Sequence, residues 1–146
     1  MKSDLVTQYF EAILQLRDCS PKIKSFVDSE IRKNQIGVAK LKTVPHGFDY
    51  YLSDDNRTKI LGKKLQQTFG GEFKVTASLF SHKDGKNIYR MTVLFREIPF
   101  KKGEKVLFSG EEYHIELIHP EIVLRPLSSG KKIRVKHKNM RAIKNK

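Results

Sequence analysis

Five histidines and one cysteine are the side chains of this sequence that most often bind metals or transfer protons. Their spacing does not fit that chemistry. The sequence has no His-Glu-x-x-His motif, no second cysteine, and no glycine-rich phosphate loop before a helix and a lysine. His114 and His119 are five residues apart in strand-like sequence, so they point to opposite faces and cannot share a metal. We therefore predict neither a metal site nor a catalytic site from the histidines, which are His46, His82, His114, His119 and His137.

Three carboxylates close together in sequence, Asp49, Asp54 and Asp55, could bind a cation. Alternation places Asp49 on a strand, whereas Asp54 and Asp55 fall in the first turn of a helix, where capping and the helix dipole explain acidic residues. No exposed nucleophile on a turn accompanies them. Cys19 cannot form an internal disulfide and is interpreted as a structural residue in a reducing compartment. We predict a protein without catalytic residues, metal or cofactor, which is not an enzyme.

Basic residues carry the strongest chemical signal, which is phosphate binding. The chain has 29 Lys and Arg against 16 Asp and Glu, a net charge of +13, and residues 98–146 alone contain 12 basic and five acidic residues. The last sixteen residues have no carboxylate to neutralise them, which favours RNA as the partner over a role in solubility alone. The residues predicted to contact RNA are Lys131, Lys132, Arg134, Lys136, Lys138, Arg141, Lys144 and Lys146, with a second patch of Lys101, Lys102, Lys63 and Lys64.

Lys63 and Lys64 have a simpler alternative explanation. They lie in a predicted helix, and a charged run on a helix is commonly just its solvent-exposed face. For this pair that alternative is the favoured one.

The first forty residues predict a helical hairpin. Leu5, Tyr9, Ile13 and Leu16 recur every three or four residues, which is typical of a helix of about three turns. A second helix is predicted to start with Ser20 as its N-cap and Pro21 as its first helical position. Its apolar face follows, and Asn34 and Gly37 end it. The residues of that face are Ile23, Phe26, Val27 and Ile31.

The segment from Val38 to Phe95 predicts a small antiparallel sheet with one covering helix. Strands are expected at Val38–Val44 and around the alternating Phe48, Tyr50 and Leu52. Ser53 is predicted to cap a helix that ends at Gly70. Its apolar face comprises Ile60, Leu61, Leu65 and Phe69. A hairpin of Phe73–Leu79 and Tyr89–Phe95 around Asp84-Gly85-Lys86 then completes an α+β domain of residues 1–97.

Residues 98–146 change to short strands without helical periodicity. This pattern predicts an SH3-like β-barrel with a basic C-terminus. Because the barrel is small, we expect it to pack firmly against the first domain. Strands are predicted at Val106–Ser109, Tyr113–His119, Ile122–Leu127 and Ile133–His137, with a fifth at Met140–Ile143.

The order of these motifs resembles the NMD family of large-ribosomal-subunit adaptors, and its archaeal branch most closely. The resemblance rests on YFEAILQLR at 9–17, GFDYYLSDD at 47–55, the FGG that closes the helix at 69–71, and YRMTVL at 89–94. It implies that residues 1–97 are similar to the family's L22e-like region, and that residues 98–146 are similar to its translation factor 5A-like region. Family members usually begin with a zinc-binding domain of paired Cys-x-x-Cys motifs, which this sequence with its single Cys19 cannot build. That domain was cut away, is encoded separately or was lost.

The resemblance and the charge together predict a ribosome-associated factor that binds large-subunit rRNA during maturation, joining or quality control. Eukaryotic relatives act as export adaptors. We expect a cytoplasmic protein with no membrane partner, since no apolar run approaches the roughly 20 residues of a membrane span and residues 1–4 lack a signal peptide's apolar core. A separate zinc-binding module is a further candidate partner. Two alternatives stay open, a protein-interaction adaptor with an SH3-like barrel and a general basic RNA-binding protein.

Overall fold

The computed structural model describes residues 9–128 and 130–145, which form two five-stranded sheets. The first sheet has the strand order β2-β3-β1-β5-β4. Its central strand β1 pairs antiparallel with β3 and parallel with β5, so the sheet is mixed rather than antiparallel as predicted. The elements of this half are β1 (Ala12–Arg17), α1 (Pro21–Lys33), β2 (Val38–Val44), β3 (Gly47–Leu52), α2 (Asp55–Phe69), β4 (Gly71–Lys83) and β5 (Lys86–Glu97).

The predicted N-terminal helical hairpin is wrong, because its first helix is the strand β1. Within this segment Ala12, Leu14 and Leu16 are fully buried and alternate with half-buried residues, which is a strand pattern. The strand forms because β3 and β5 satisfy its backbone on both sides, and such tertiary pairing overrides a local three-to-four spacing. Leu5 of the predicted helix lies outside the described residues.

The second predicted helix is confirmed as α1. Pro21 occupies its first turn, and the side chains of Ile23, Val27 and Ile31 are buried. Ser20 holds the N-cap position without a side-chain capping bond, and its backbone N–H donates to Glu97 Oε1 at 2.7 Å.

Helix α2 is also confirmed, but its cap and its buried face differ from the prediction. Asp54 caps the helix by accepting from the Arg57 N–H at 2.9 Å, whereas Ser53 Oγ accepts from the Gly37 N–H at 2.8 Å. Ile60, predicted for the buried face, is 56% exposed. Leu61 and Leu65 are buried as expected, and Gly62 lies between them against β4 and β5.

Both helices share one hydrophobic core with one face of the first sheet. Tyr50, Phe95 and Leu14 are among its largest fully buried side chains. The Tyr50 hydroxyl donates to Asp28 Oδ1 on α1 at 2.6 Å, which links that helix to β3. Residues that alternate with the core positions, including Tyr51 and Arg90, point to the opposite face and stay half-buried.

The second sheet has the strand order β10-β6-β7-β8-β9. Four of its strands lie near the predicted positions, but the fifth, predicted at Met140–Ile143, begins only at Lys144 after a 3₁₀ helix, His137–Ala142. No closed barrel forms: within 9–128 and 130–145, β9 and β10 are the unpaired edges of an open sheet. The strands are β6 (Lys105–Phe108), β7 (Glu111–Leu117), β8 (Ile122–Pro126), β9 (Ile133–Val135) and β10 (Lys144–Asn145).

The two sheets are joined by buried residues. Ile98 and Phe100, just after β5, are each 5% exposed and belong to the core of the second sheet. Gly70 has φ +77°, and a Cβ placed on it would lie 2.7 Å from the Ile118 carbonyl oxygen. Only glycine therefore allows this approach of the two backbones. No helix in the described part of the chain is both long and apolar enough to cross a membrane.

Candidate nucleic-acid interface

Four of the residues predicted to contact RNA line one open groove in the C-terminal half. The groove lies between β9, the 3₁₀ helix and the end of β6, and has a volume of about 740 Å³. A cleft of this size on a basic surface can hold a nucleotide segment. Its lining residues are Phe108, Arg134, Val135, Lys136, Lys138, Asn139, Arg141 and Ala142.

The 3₁₀ helix sets the direction of the basic side chains in this groove. His137, Met140 and Ile143 recur at a spacing of three and are 6%, 2% and 3% exposed, which matches the three residues per turn of this helix type. His137 Nε2–H donates to the Ile118 carbonyl at 2.6 Å and anchors the helix to the end of β7. Lys136, Lys138 and Arg141 are thereby held at the surface.

The charges in the groove are only partly neutralised. Arg134 contacts Glu121 at 3.2 Å as an ion pair between exposed side chains. Arg141 contacts Glu72 at 3.5 Å, and the Glu72 side chain is only 12% exposed. The exposed Arg134–Glu121 pair is weak and can be exchanged for a phosphate contact. Lys136 and Lys138 make no ion pair with any carboxylate that the structure describes. The groove therefore offers at least two unpaired cations.

Of the other predicted residues of the C-terminal segment, those that the structure describes do not line the groove. Lys131 and Lys144 are exposed, and Lys146 lies outside the described residues. Lys132 Nζ lies 2.8 Å from Glu116 Oε2. This hydrogen bond lowers the pKa of the Glu116 carboxyl, and the charges of Arg125 and Lys102 act in the same direction.

The second predicted patch divides between two places. Lys101 and Lys102 line a cleft of about 410 Å³ at the joint of the two sheets, together with Lys22, Phe69 and others. Lys63 and Lys64 lie on α2, in the first half of the chain. Neither of them lines the cleft of Lys101 and Lys102, and Lys64 lines a different cleft with Glu30 and Arg57.

Lys64 has a structural partner in the carboxylate of Glu30. Its Nζ lies 2.8 Å from Glu30 Oε1, and Glu30 is only 7% exposed. The hydrogen bond from Lys64 lowers the pKa of Glu30 against the opposing effect of burial, with help from Lys33 and Asn34. Lys63 is exposed and makes no ion pair with a described carboxylate.

Phe108 and Asn139 are groove residues that the sequence reasoning missed. Phe108 is half-buried at the end of β6 and contacts Tyr113 edge-to-face with ring centroids 6.3 Å apart. Its ring offers a stacking surface beside the lysines, and the Asn139 amide offers both a donor and an acceptor. The spacing of His137 and Met140 is the one sequence signal that could have indicated this arrangement.

Two of the three carboxylates considered for a metal site, Asp49 and Asp54, have structural partners. Asp49 pairs with Arg17 at 2.7 Å. Asp54 and Asp55 do approach a third carboxylate, Glu11, with oxygens within 4.8 Å of one another. However, Asp54 caps α2, and Glu11 accepts from the Asp55 N–H at 3.0 Å. Asp54 and Glu11 thus both accept hydrogen bonds from backbone N–H groups at the start of α2.

Cys19 lies against a small apolar cavity of about 340 Å³ between β1, α1 and β3. Burial raises the pKa of its thiol to about 11. The thiol is therefore protonated at neutral pH and is a poor nucleophile.

Comparison with known proteins identifies the family of the chain. The family model described as NMD3, second domain, matches residues 9–96, which run from just before β1 to the end of β5. This is more than half of the 146 residues. A comparison with curated proteins gives no match. The fold of the first sheet with its two helices is thus the NMD3 second domain, and the chain belongs to the NMD3 family.

Proposed function

We propose that this protein is a non-enzymatic factor that binds the rRNA of the large ribosomal subunit. The observation that carries the proposal is the basic groove, where Lys136 and Lys138 lie without a described carboxylate partner beside the ring of Phe108. Membership of the NMD3 family supports a ribosomal partner over other RNA. The net charge of +13 supports binding to a polyanion.

In this proposal the groove binds an RNA backbone mainly through phosphates. Lys136 and Lys138 supply the unpaired charges, and Arg134 exchanges its exposed carboxylate partner Glu121 for a phosphate. Arg141, whose side chain is 64% exposed, adds a phosphate contact while it stays close to Glu72. The ring of Phe108 is placed to stack on a base at the groove wall. Each phosphate that is neutralised strengthens binding and steepens its dependence on salt.

Residues 1–97 and 98–146 act in this proposal as two units that contact neighbouring RNA features. The second unit is the open five-stranded sheet with its 3₁₀ helix. We place the protein in the cytoplasm, acting on maturation, joining or quality control of the subunit, with a zinc-binding module as a further partner.

Co-sedimentation with purified ribosomal subunits tests the proposal. The variant Lys136→Glu/Lys138→Glu changes the two unpaired groove lysines and should abolish selective pelleting with the large subunit. Against naked rRNA, the log–log slope of affinity with salt should fall by about 2, since roughly one counterion is released per phosphate contact. The matched control is Lys59→Glu/Lys105→Glu, which makes the same charge change at two exposed lysines outside the groove.

Four outcomes separate the alternatives. Loss in the groove variant with retention in the control supports the proposal. Equal loss in both variants contradicts a specific groove, and equal binding of the wild type to every RNA indicates a general RNA-binding protein. Absence of binding at low salt indicates a protein-interaction adaptor, or a chain that needs its zinc-binding module.

A further inference from the structure

The β4–β5 hairpin extends beyond the rest of the first sheet. β1 pairs with β5 only from Met91 to Arg96, whereas the hairpin continues to a turn at Asp84 and Gly85. We call residues 79–90 the arm. Leu79, Phe80 and Tyr89 of the arm are 57%, 53% and 56% exposed, so the arm presents large apolar side chains to solvent.

One face of the arm carries a cluster of rings around a guanidinium group. The Phe10 ring contacts the rings of Tyr51 and Phe80 edge-to-face, with centroids 5.1 Å and 5.6 Å apart. The Arg90 guanidinium lies 4.2 Å from the Phe80 centroid and 5.3 Å from the Phe10 centroid. We call Phe10, Tyr51, Phe80 and Arg90 the aromatic cluster.

The charge of Arg90 in this cluster has no ion-pair partner among the residues that the structure describes. Its buried Nε has no hydrogen-bond partner there either. Lys40, on β2, places its Nζ 5.6 Å from the Tyr51 centroid and is likewise without a described carboxylate partner. A guanidinium held over the exposed Phe80 ring without an ion pair to a described carboxylate is complementary to an anionic ligand that also has flat apolar faces.

We propose that the aromatic cluster binds single-stranded RNA. An unpaired base stacks on the exposed side of the Phe80 ring, and Arg90 and Lys40 contact the adjacent phosphates. Single strands offer bases for stacking, whereas the bases of a duplex are already stacked on each other. The proposal deepens the RNA-binding function proposed above and rests on it, but it concerns a site on the other half of the chain.

Fluorescence anisotropy with a labelled ten-nucleotide single-stranded RNA, and with a duplex of the same length, tests the site. Phe80→Ala should weaken single-strand binding roughly 5- to 150-fold, as expected for the loss of one stacked base, and should change duplex binding much less. Tyr89→Ala is the matched control, because it removes an equally exposed ring from the opposite face of the same arm. It should leave single-strand binding unchanged.

Two further variants make the test specific. Arg90→Lys keeps the charge but not the planar guanidinium group, so we expect a partial loss of affinity for the single-stranded RNA. Circular dichroism of each variant controls for folding. Equal affinities for Phe80→Ala and Tyr89→Ala would overturn the proposal. So would loss of large-subunit pelleting in Phe80→Ala with unchanged binding of the oligonucleotide, since the arm would then contact a protein. The groove variant Lys136→Glu/Lys138→Glu leaves the aromatic cluster intact. Measuring single-strand binding with this variant therefore separates a failure of the groove proposal from a failure of the aromatic-cluster proposal.

Discussion

Lys63 and Lys64 are adjacent and chemically identical, yet they have different surroundings in the structure. Lys64 neutralises the buried carboxylate of Glu30, whereas Lys63 is exposed. Lys64→Ala should therefore destabilise the protein by about 1–2 kcal/mol, because a buried carboxylate loses its main partner. Lys63→Ala, the control, should change stability by less than about 0.5 kcal/mol. Urea unfolding at pH 7 measures both values.

The pH dependence of the same pair has a defined sign. The pKa of Glu30 is lower in the folded protein than its ordinary value of 4.5. The stabilisation by the Lys64–Glu30 ion pair is therefore fully present above pH 4.5, and it is lost as the pH falls through the pKa that Glu30 has in the folded protein. The difference in unfolding free energy between wild type and Lys64→Ala should shrink over that acidic range. A difference that stayed constant down to pH 2 would exclude this ion pair as its cause.

Cys19 gives a second residue-scale prediction. Its thiol pKa rises from 9.0 to about 11 on folding, so the thiolate fraction at pH 8 falls roughly 100-fold. Alkylation by iodoacetamide should be slower in the folded protein by about that factor than in urea. Equal rates would show that the thiol is solvated in the native state.

At the scale of elements, Gly62 explains how closely α2 approaches the sheet. A Cβ at this position would lie 2.5 Å from Val93 Cγ1 and 2.8 Å from Phe73 Cε1. Alanine normally stabilises a helix interior by about 1 kcal/mol relative to glycine, but overpacking costs about 1–3 kcal/mol. Gly62→Ala should therefore lower the unfolding free energy by up to about 2 kcal/mol. Gln67→Ala, on the exposed side of α2, should be neutral. A gain in stability for Gly62→Ala would contradict the observed packing.

The elements differ in how far the sequence could predict them. Strand β3 and helix α2 are specified locally, by the alternation from Phe48 to Leu52 and by the glycine at 70, and both were predicted. Strand β1 was not, because its partners Tyr50 and Val93 lie 36 and 79 residues further along the chain than Leu14. The basic residues of the groove were identified from charge alone. Their convergence with Phe108 depends on a 3₁₀ helix that the strand-like pattern concealed.

At the scale of the whole molecule, the joint between the two sheets has a consequence for avidity. Gly70 packs against Ile118, and Ile98 and Phe100 are buried directly after β5, so the groove and the aromatic cluster cannot reorient as they would on a flexible linker. Once one of the two sites has bound RNA, the rigid spacing gives the other site a high effective concentration of RNA if the two RNA features are separated by the same distance. If the distances differ, the effective concentration is close to zero. The protein would then discriminate among RNAs by the distance between two features, even where neither contact reads a sequence.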